Sequence, residues 1–178
     1  RYASRGLGDV YKRQILKLFF SEGINLAVTG VLLDFDGHTS VRLWAVLGGM
    51  LQDGGAHKAV WHSRGDSASK FCIPCKNLFD QESEIADADG TNLLSCNCLT
   101  WRELVPATSS SLRNNARYLE RHASRAQADE FKDMQQALGK THHKHGILLD
   151  RSLDKYVDPV GVYQHDWMHA IFVDGVFN

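Results

Sequence analysis

The chain has no long apolar run, no excess of charge of either sign and few cysteines, and each absence excludes a class of protein. No uninterrupted apolar stretch approaches the roughly 20 residues that span a bilayer, and the N-terminus has no signal-peptide pattern. The formal net charge of -1 gives no general attraction to nucleic acid or to a membrane. We therefore expect a soluble, intracellular protein that contacts nucleic acid only through local patches.

The four cysteines occur in two close pairs, Cys72-x-x-Cys75 and Cys96-x-Cys98. In an intracellular chain, such pairing favours metal binding over disulfide bonds. Two thiolates three residues apart can face the same Zn²⁺, and four thiolates complete its tetrahedral shell. The alternative for Cys96 and Cys98 is a role as small buried apolar side chains. We predict a structural zinc ion bound by Cys72, Cys75, Cys96 and Cys98.

The first residues of the chain match a sequencing adapter. Residues 9–14 read DVYKRQ, which is the translation of GATGTGTATAAGAGACAG, the mosaic end of transposase-based sequencing libraries. Position 1 is not a methionine, and an apolar run over residues 170–173 comes shortly before the last residue. We therefore expect residues 1–14 to be adapter and the remainder, from Ile15, to be an internal fragment of a longer protein. The alternative is a genuine short N-terminal arm.

Residues 15–61 have the pattern of a mixed α+β core. An apolar block at the start is typical of the end of a helix, with Gly23 as its stop signal. Two segments rich in β-branched and aromatic side chains follow, residues 26–35 and 41–47. Asp36-Gly37 between them predicts a hairpin turn. We expect the second strand to run on to Asp53, where a short helix begins.

The rest of the chain divides at about residue 109. Residues 62–109 have little periodicity and contain all the cysteines, which predicts a loop-rich insertion held by metal. Residues 110–178 are predicted to be mainly helical. Serines at 109–111 are expected to cap one long amphipathic helix, and Gly139 to end it.

Two acidic positions are candidates for metal chemistry. Asp53 follows an apolar strand and precedes Gly54-Gly55 and a helix, a position where Mg²⁺ chemistry is often found in α/β sheets. Its alternative role is a helix N-cap. In His165-Asp166-Trp167-Met168-His169, a helix would place Asp166 and His169 on one face. The alternative there is a capped helix start with local hydrogen bonds.

Two basic clusters favour structural roles. The histidines of the 142–145 segment are expected to lie in a solvated loop rather than to bind metal. Arginines recur every four residues on the long helix, at Arg113, Arg117, Arg121 and Arg125. That spacing could follow a phosphate backbone, but the acidic residues among them favour a solvated helix face.

The order of these motifs resembles that of the DDE transposases of the CACTA type. The motifs are Glu22-Gly23-Ile24, the hairpin, Asp53 with Ala56, the GDSASK stretch of residues 65–70, Cys72-x-x-Cys75, and Asp166-x-x-His169 with Gly175. The resemblance implies an RNase H-like fold, a mixed sheet flanked by helices, with three carboxylates that hold two Mg²⁺ or Mn²⁺ ions. Such a pair of ions stabilises the attacking and leaving oxygens during DNA strand cleavage and transfer.

By position, Asp53 corresponds to the second carboxylate of the family, and Asp166 and His169 correspond to its Asp-x-x-His motif. The resemblance places the first aspartate before Ile15 and the glutamate beyond Asn178, so we expect the fragment alone to be inactive. It also implies transposon-end DNA as partner, a homo-oligomer when intact, no membrane contact and a nuclear location.

Two other functions fit the same residues. One is a non-catalytic zinc-binding module for DNA or protein interaction, from a decayed or domesticated element. The other is a metal hydrolase that uses His165, Asp166 and His169.

Overall fold

The computed structural model describes residues 3–35, 39–52, 54–79, 94–95 and 101–164. Of the candidate site residues, Cys72 and Cys75 lie within these ranges. The candidates outside the described residues are Asp53, Cys96, Cys98, His165, Asp166 and His169. The predicted Asp36-Gly37 turn also lies outside them.

The described chain is a mixed α+β fold, as the sequence predicted at this level. The helices are α1 (Ala3–Phe20), α2 (Gly54–Val60), α3 (Ser109–His122) and α4 (Ala128–Leu138). The strands are β1 (Val31–Leu33), β2 (Val41–Leu43), β3 (Met50–Leu51), β4 (Leu78–Phe79), β5 (Leu94–Ser95) and β6 (Tyr163–Gln164). Among these residues, no helix is long and apolar enough to cross a membrane.

The strands pair two by two. β1 and β2 form the predicted antiparallel hairpin, with Leu32 opposite Arg42. The prediction that the second strand continues to residue 53 is wrong, because β2 ends at Leu43 and β3 pairs instead with β6, in parallel. β4 and β5 form a second parallel pair. In the part of the chain that the structure describes, the strand pairing thus combines hairpin and long-range contacts.

One main core joins described residues that are far apart in the sequence, from Leu16 to Val162. Its buried residues are Leu16, Phe20, Val60, Trp61, Ile73, Ala107, Leu112, Ile147, Leu148, Leu153, Val157 and Val162. Trp61 and Leu153 are completely inaccessible to solvent. Ile73 and Ala107 come from the segment expected to be an insertion, so that segment contributes to the main core as well as carrying the cysteines.

The predicted single long helix is two helices. α3 ends at His122, and α4 begins at Ala128 and packs back against it. The return buries Met134 and Leu138 against Leu119 in a small second core. A straight helix would leave these apolar side chains without that partner, so tertiary burial explains the break.

Local chemistry explains the helix ends. Thr108, rather than the serines after it, caps α3: its hydroxyl accepts the Ser111 N–H, and the Ser111 hydroxyl accepts the Thr108 N–H. This reciprocal arrangement satisfies two backbone donors. α4 ends at Gly139 as predicted, in the left-handed conformation with φ of 64°. An added Cβ at Gly139 would also collide with the Lys70 carbonyl group.

We predict that Gly139→Ala lowers the free energy of unfolding by about 1–3 kcal/mol, because alanine is strained at positive φ and its methyl group has no space. Gly48→Ala is the matched control, since a Cβ there would meet nothing within 4 Å. Urea unfolding of both variants measures the difference. Equal stability of the two variants would contradict this account of the helix end.

Candidate functional site

The parallel pair of β3 and β6 brings together the strands that precede two candidate acids. Met50 lies opposite Tyr163 and Leu51 opposite Gln164. The Met50 N–H donates to the Val162 carbonyl at 2.6 Å. In sequence, Asp53 comes two residues after the end of β3, and Asp166 comes two residues after the end of β6.

His57 on α2 fixes the end of β6. Its Nε2 lies 2.7 Å from the Gln164 carbonyl oxygen, and its ring packs on Tyr163 with ring centroids 4.4 Å apart. The His57 side chain is buried. The helix that follows Asp53 therefore holds the strand that leads to Asp166, although sequence reasoning did not select His57. No local pattern indicates this contact, because the two partners are 107 residues apart.

The Cys72-x-x-Cys75 turn is held by backbone pairing with residues 105–107. Cys75 and Pro106 form an antiparallel bridge. The Lys76 N–H donates to the Val105 carbonyl at 2.7 Å, and the Ala107 N–H donates to the Pro74 carbonyl at 2.7 Å. The two hydrogen bonds lie on either side of Cys75 and fix the backbone of the turn. A metal site needs preorganisation of this kind.

The Asn77 amide adds a second clamp on the same segment. Its nitrogen donates to the Glu103 carbonyl at 2.9 Å, and its oxygen accepts the Val105 N–H at 2.8 Å. Asn77 is almost fully buried. A buried amide that satisfies two backbone groups stabilises a segment that has few regular elements of its own.

The two thiols are half-buried, free and hydrogen-bonded to each other. The hydrogen bond from Cys72 lowers the pKa of Cys75 to about 7, with the Lys70 cation acting in the same direction against burial. The same hydrogen bond, with burial, raises the pKa of Cys72. Cys75 is therefore the readier thiolate, and thiolates are the form that binds zinc.

Among the described residues, Cys72 and Cys75 have no further candidate metal ligand beside them. No group of three or more His, Cys, Asp or Glu side chains that could hold a metal occurs within the described ranges. Cys96 and Cys98 lie outside those ranges. β5, which ends at Ser95, pairs with β4 just after the Cys72–Cys75 turn. Because the pair is parallel, β5 runs beside β4 in the same direction, away from the cysteine turn.

The cysteine turn and the start of β6 share the main core. Ile73, between the two cysteines, and Val162 are buried in it, and Tyr163 packs against it. Burial and then the nearby Cys72 raise the pKa of Tyr163, the first residue of β6.

The histidine segment is a loop, as predicted, but it is only partly solvated, because His142 and His143 are half-buried. His143 stacks on buried His62 with ring centroids 4.8 Å apart and an interplanar angle of 5°. His142 binds the Glu120 carboxylate on α3. His145 alone of the three is exposed. Sequence reasoning missed His62, whose partner lies far along the chain.

The arginine spacing also has a structural cause. Arg113 is buried and pairs with Asp154 at 2.8 Å, and Arg117 reaches the same carboxylate at 2.7 Å. These two side chains hold α3 against the turn at Arg151–Leu153, so the prediction of a solvated face is wrong for Arg113. Arg121 and Arg125 are exposed.

Comparison with known proteins identifies no relative: no protein-family profile, no curated protein and no solved structure matches the chain.

We predict that the wild-type chain binds zinc and that Cys72→Ser loses it, with a melting temperature lower by about 5 °C or more. Elemental analysis after gel filtration and thermal unfolding provide the two measurements. His145→Ala removes an exposed histidine and should retain both zinc and stability. A wild-type chain that stays folded and unchanged in chelator would contradict a structural zinc site.

Burial, together with nearby His143 and Lys140, lowers the pKa of His62 from 6.5 to about 3. Between these values the unfolded chain takes up a proton at residue 62 that the folded chain does not. We therefore predict that this contribution makes the protein less stable as pH falls from 6.5 towards 3, whereas above pH 6.5 it makes no difference.

His62→Asn should remove this part of the pH dependence, because asparagine tolerates the positive φ of 51° and does not titrate. Urea unfolding between pH 4 and pH 7 measures the slope, with His145→Asn as the exposed control. Identical slopes for wild type and His62→Asn would show that His62 does not cause the acid sensitivity.

Proposed function

We propose that the chain is part of the catalytic domain of a DDE-type DNA transposase, in which Asp53 and Asp166 together bind a divalent metal ion. The observation that supports the proposal is the parallel register of β3 and β6, with Leu51 opposite Gln164. The carboxyl ends of parallel strands meet at one edge of a sheet, where α/β proteins commonly bind their ligands.

Asp53 and Asp166 each come two residues after the paired ends of these strands. Both carboxylates would therefore be available to one divalent ion at this edge, and oxygen ligands of this kind are those that Mg²⁺ prefers.

Carboxylates are the residues that this chemistry requires. Divalent ions held by acidic side chains stabilise the attacking and the leaving oxygen of a displacement at phosphorus. Asp53 and Asp166 would hold the metal, and His57 would keep their strands in register through Gln164. We infer that such a protein acts on transposon-end DNA as a homo-oligomer in the nucleus.

A second candidate function is a zinc-binding module that contacts DNA or protein without catalysis. The Cys72–Cys75 turn favours this function, because it holds two free thiols three residues apart on a fixed backbone. Thiolates at this spacing are typical of structural zinc sites, and this argument does not involve Asp53 or Asp166. The two functions differ in the role of the carboxylates. The module needs zinc alone, whereas the transposase domain also binds Mg²⁺ or Mn²⁺ at Asp53 and Asp166.

We predict that the zinc-loaded chain binds Mn²⁺ and that Asp53→Asn and Asp166→Asn each weaken this binding about tenfold or more. Mn²⁺ is the appropriate probe because it prefers carboxylates to thiolates. Calorimetric titration measures the affinity. Asp133→Asn, which changes an exposed aspartate on α4, is the matched control and should leave the affinity unchanged.

If neither Asn variant changes Mn²⁺ binding, or if the wild-type chain binds no Mn²⁺, the carboxylate site does not exist. If the chain still binds zinc in that case, the result supports the non-catalytic zinc-binding module instead. The zinc content of each variant therefore has to be measured beside its Mn²⁺ affinity.

A further inference from the structure

The turn at Cys72 and Cys75 places two reactive thiols side by side. Both thiols are free and half-buried, and they are hydrogen-bonded to each other. Their partial exposure leaves the two sulfur atoms open to a small molecule in solution. Thiols in such a position can exchange with a disulfide as well as bind a metal ion.

The fold keeps these two thiols together. The bridge between Cys75 and Pro106 fixes the backbone of the turn, and Ile73, between the two cysteines, is buried in the main core. Asn77, just after the turn, is buried and bonded to two backbone groups. Because the turn is already ordered, joining the two sulfur atoms costs little further conformational entropy. Each thiol is therefore present at a high effective concentration beside the other.

We propose that Cys72 and Cys75 form a reversible disulfide by exchange with a small disulfide such as glutathione disulfide. The thiolate of one cysteine attacks a sulfur atom of glutathione disulfide, so that a mixed disulfide forms and one glutathione leaves as its thiolate. The thiolate of the other cysteine then attacks the protein sulfur of the mixed disulfide and expels the second glutathione. The protein thiols lose two electrons and two protons, and one glutathione disulfide becomes two glutathione molecules.

Disulfide formation and zinc binding exclude each other at this turn, because zinc binds the thiolate form of the same two sulfur atoms. The reduced chain would have both ligands available, and the oxidised chain would have neither. The turn would thus respond to the thiol–disulfide balance around the protein. The disulfide proposal does not depend on the transposase function, and it holds for the metal-free chain as well.

The experiment equilibrates the full 178-residue chain, freed of metal with a chelator, with mixtures of reduced and oxidised glutathione. Free thiols are then alkylated and the chain is digested with trypsin. Cleavage after Lys70 and after Lys76 releases residues 71–76, a peptide that contains Cys72 and Cys75 and no other cysteine. We expect this peptide to carry no alkyl group and to be lighter than the reduced peptide by the mass of two hydrogen atoms. Dithiothreitol should restore the reduced peptide.

The same equilibrium in urea measures what the fold contributes. We expect the effective concentration of one thiol beside the other to be about tenfold or more higher in the folded chain than in urea. Cys75→Ser is the control variant, in which Cys72 should stop at the mixed disulfide and carry one glutathione. Zinc added to the folded wild-type chain should lower the disulfide fraction, and a chelator should restore it.

A peptide of residues 71–76 that stays reduced, or that carries glutathione without closing, would overturn the proposal. So would a disulfide that links this peptide to the one carrying Cys96 and Cys98, or an equal effective concentration in the folded chain and in urea. A disulfide fraction that zinc does not change would support the disulfide and contradict the zinc site at this turn. The two proposals for these cysteines therefore fail in different measurements.

Discussion

The backbone pairing between residues 61–64 and 139–141 connects the two halves of the molecule. The Thr141 N–H donates to the His62 carbonyl at 2.7 Å, and the Arg64 N–H donates to the Gly139 carbonyl at 3.1 Å. Ser63 and Lys140 form the bridge between these bonds. The geometry requires two left-handed residues, His62 and Gly139. The contact comes directly after Trp61, which is fully buried in the main core, and so connects the turn after α4 to that core.

The same contact supports the structure on both of its sides. α2 ends one residue before Trp61, and its His57 contacts Gln164 at the end of β6. On the other side of the contact, Lys140 donates to the Trp61 carbonyl and His143 stacks on His62. A change at residue 62 or 139 would therefore affect both the β3–β6 pair and the packing around His62.

Local features could be predicted from the sequence, and long-range features could not. The hairpin and the Gly139 stop follow from turn and cap chemistry within a few residues. The break between α3 and α4 depends on which partner buries Met134, and the β3–β6 register depends on residues that are far apart in the sequence. The burial of His62 could not be predicted from the sequence. Neither its left-handed backbone nor its stacking on His143 produces a recognisable sequence pattern. The turn in the cysteine segment was predictable, but the clamp on it by Asn77 and Val105 was not.

Helix α1 runs from Ala3 to Phe20 and so crosses the expected boundary at residue 14. After the boundary, Leu16 and Phe20 are buried in the main core. Before it, Arg13 Nε lies 3.7 Å from the Asp150 carboxylate, which Lys17 approaches at 3.9 Å. Residues on both sides of the boundary therefore contact the rest of the fold.

The paired strands β3 and β6 are too short to be stable by themselves, since a two-residue pair needs packing from elsewhere in the fold. His57 supplies part of that packing through its contacts with Tyr163 and Gln164. Ile73, between the two cysteines, and Val162, next to β6, lie in the same buried core. A zinc ion bound as we propose at Cys72 and Cys75 would therefore stabilise a turn that shares its core with β6, in a catalytic domain as much as in an interaction module.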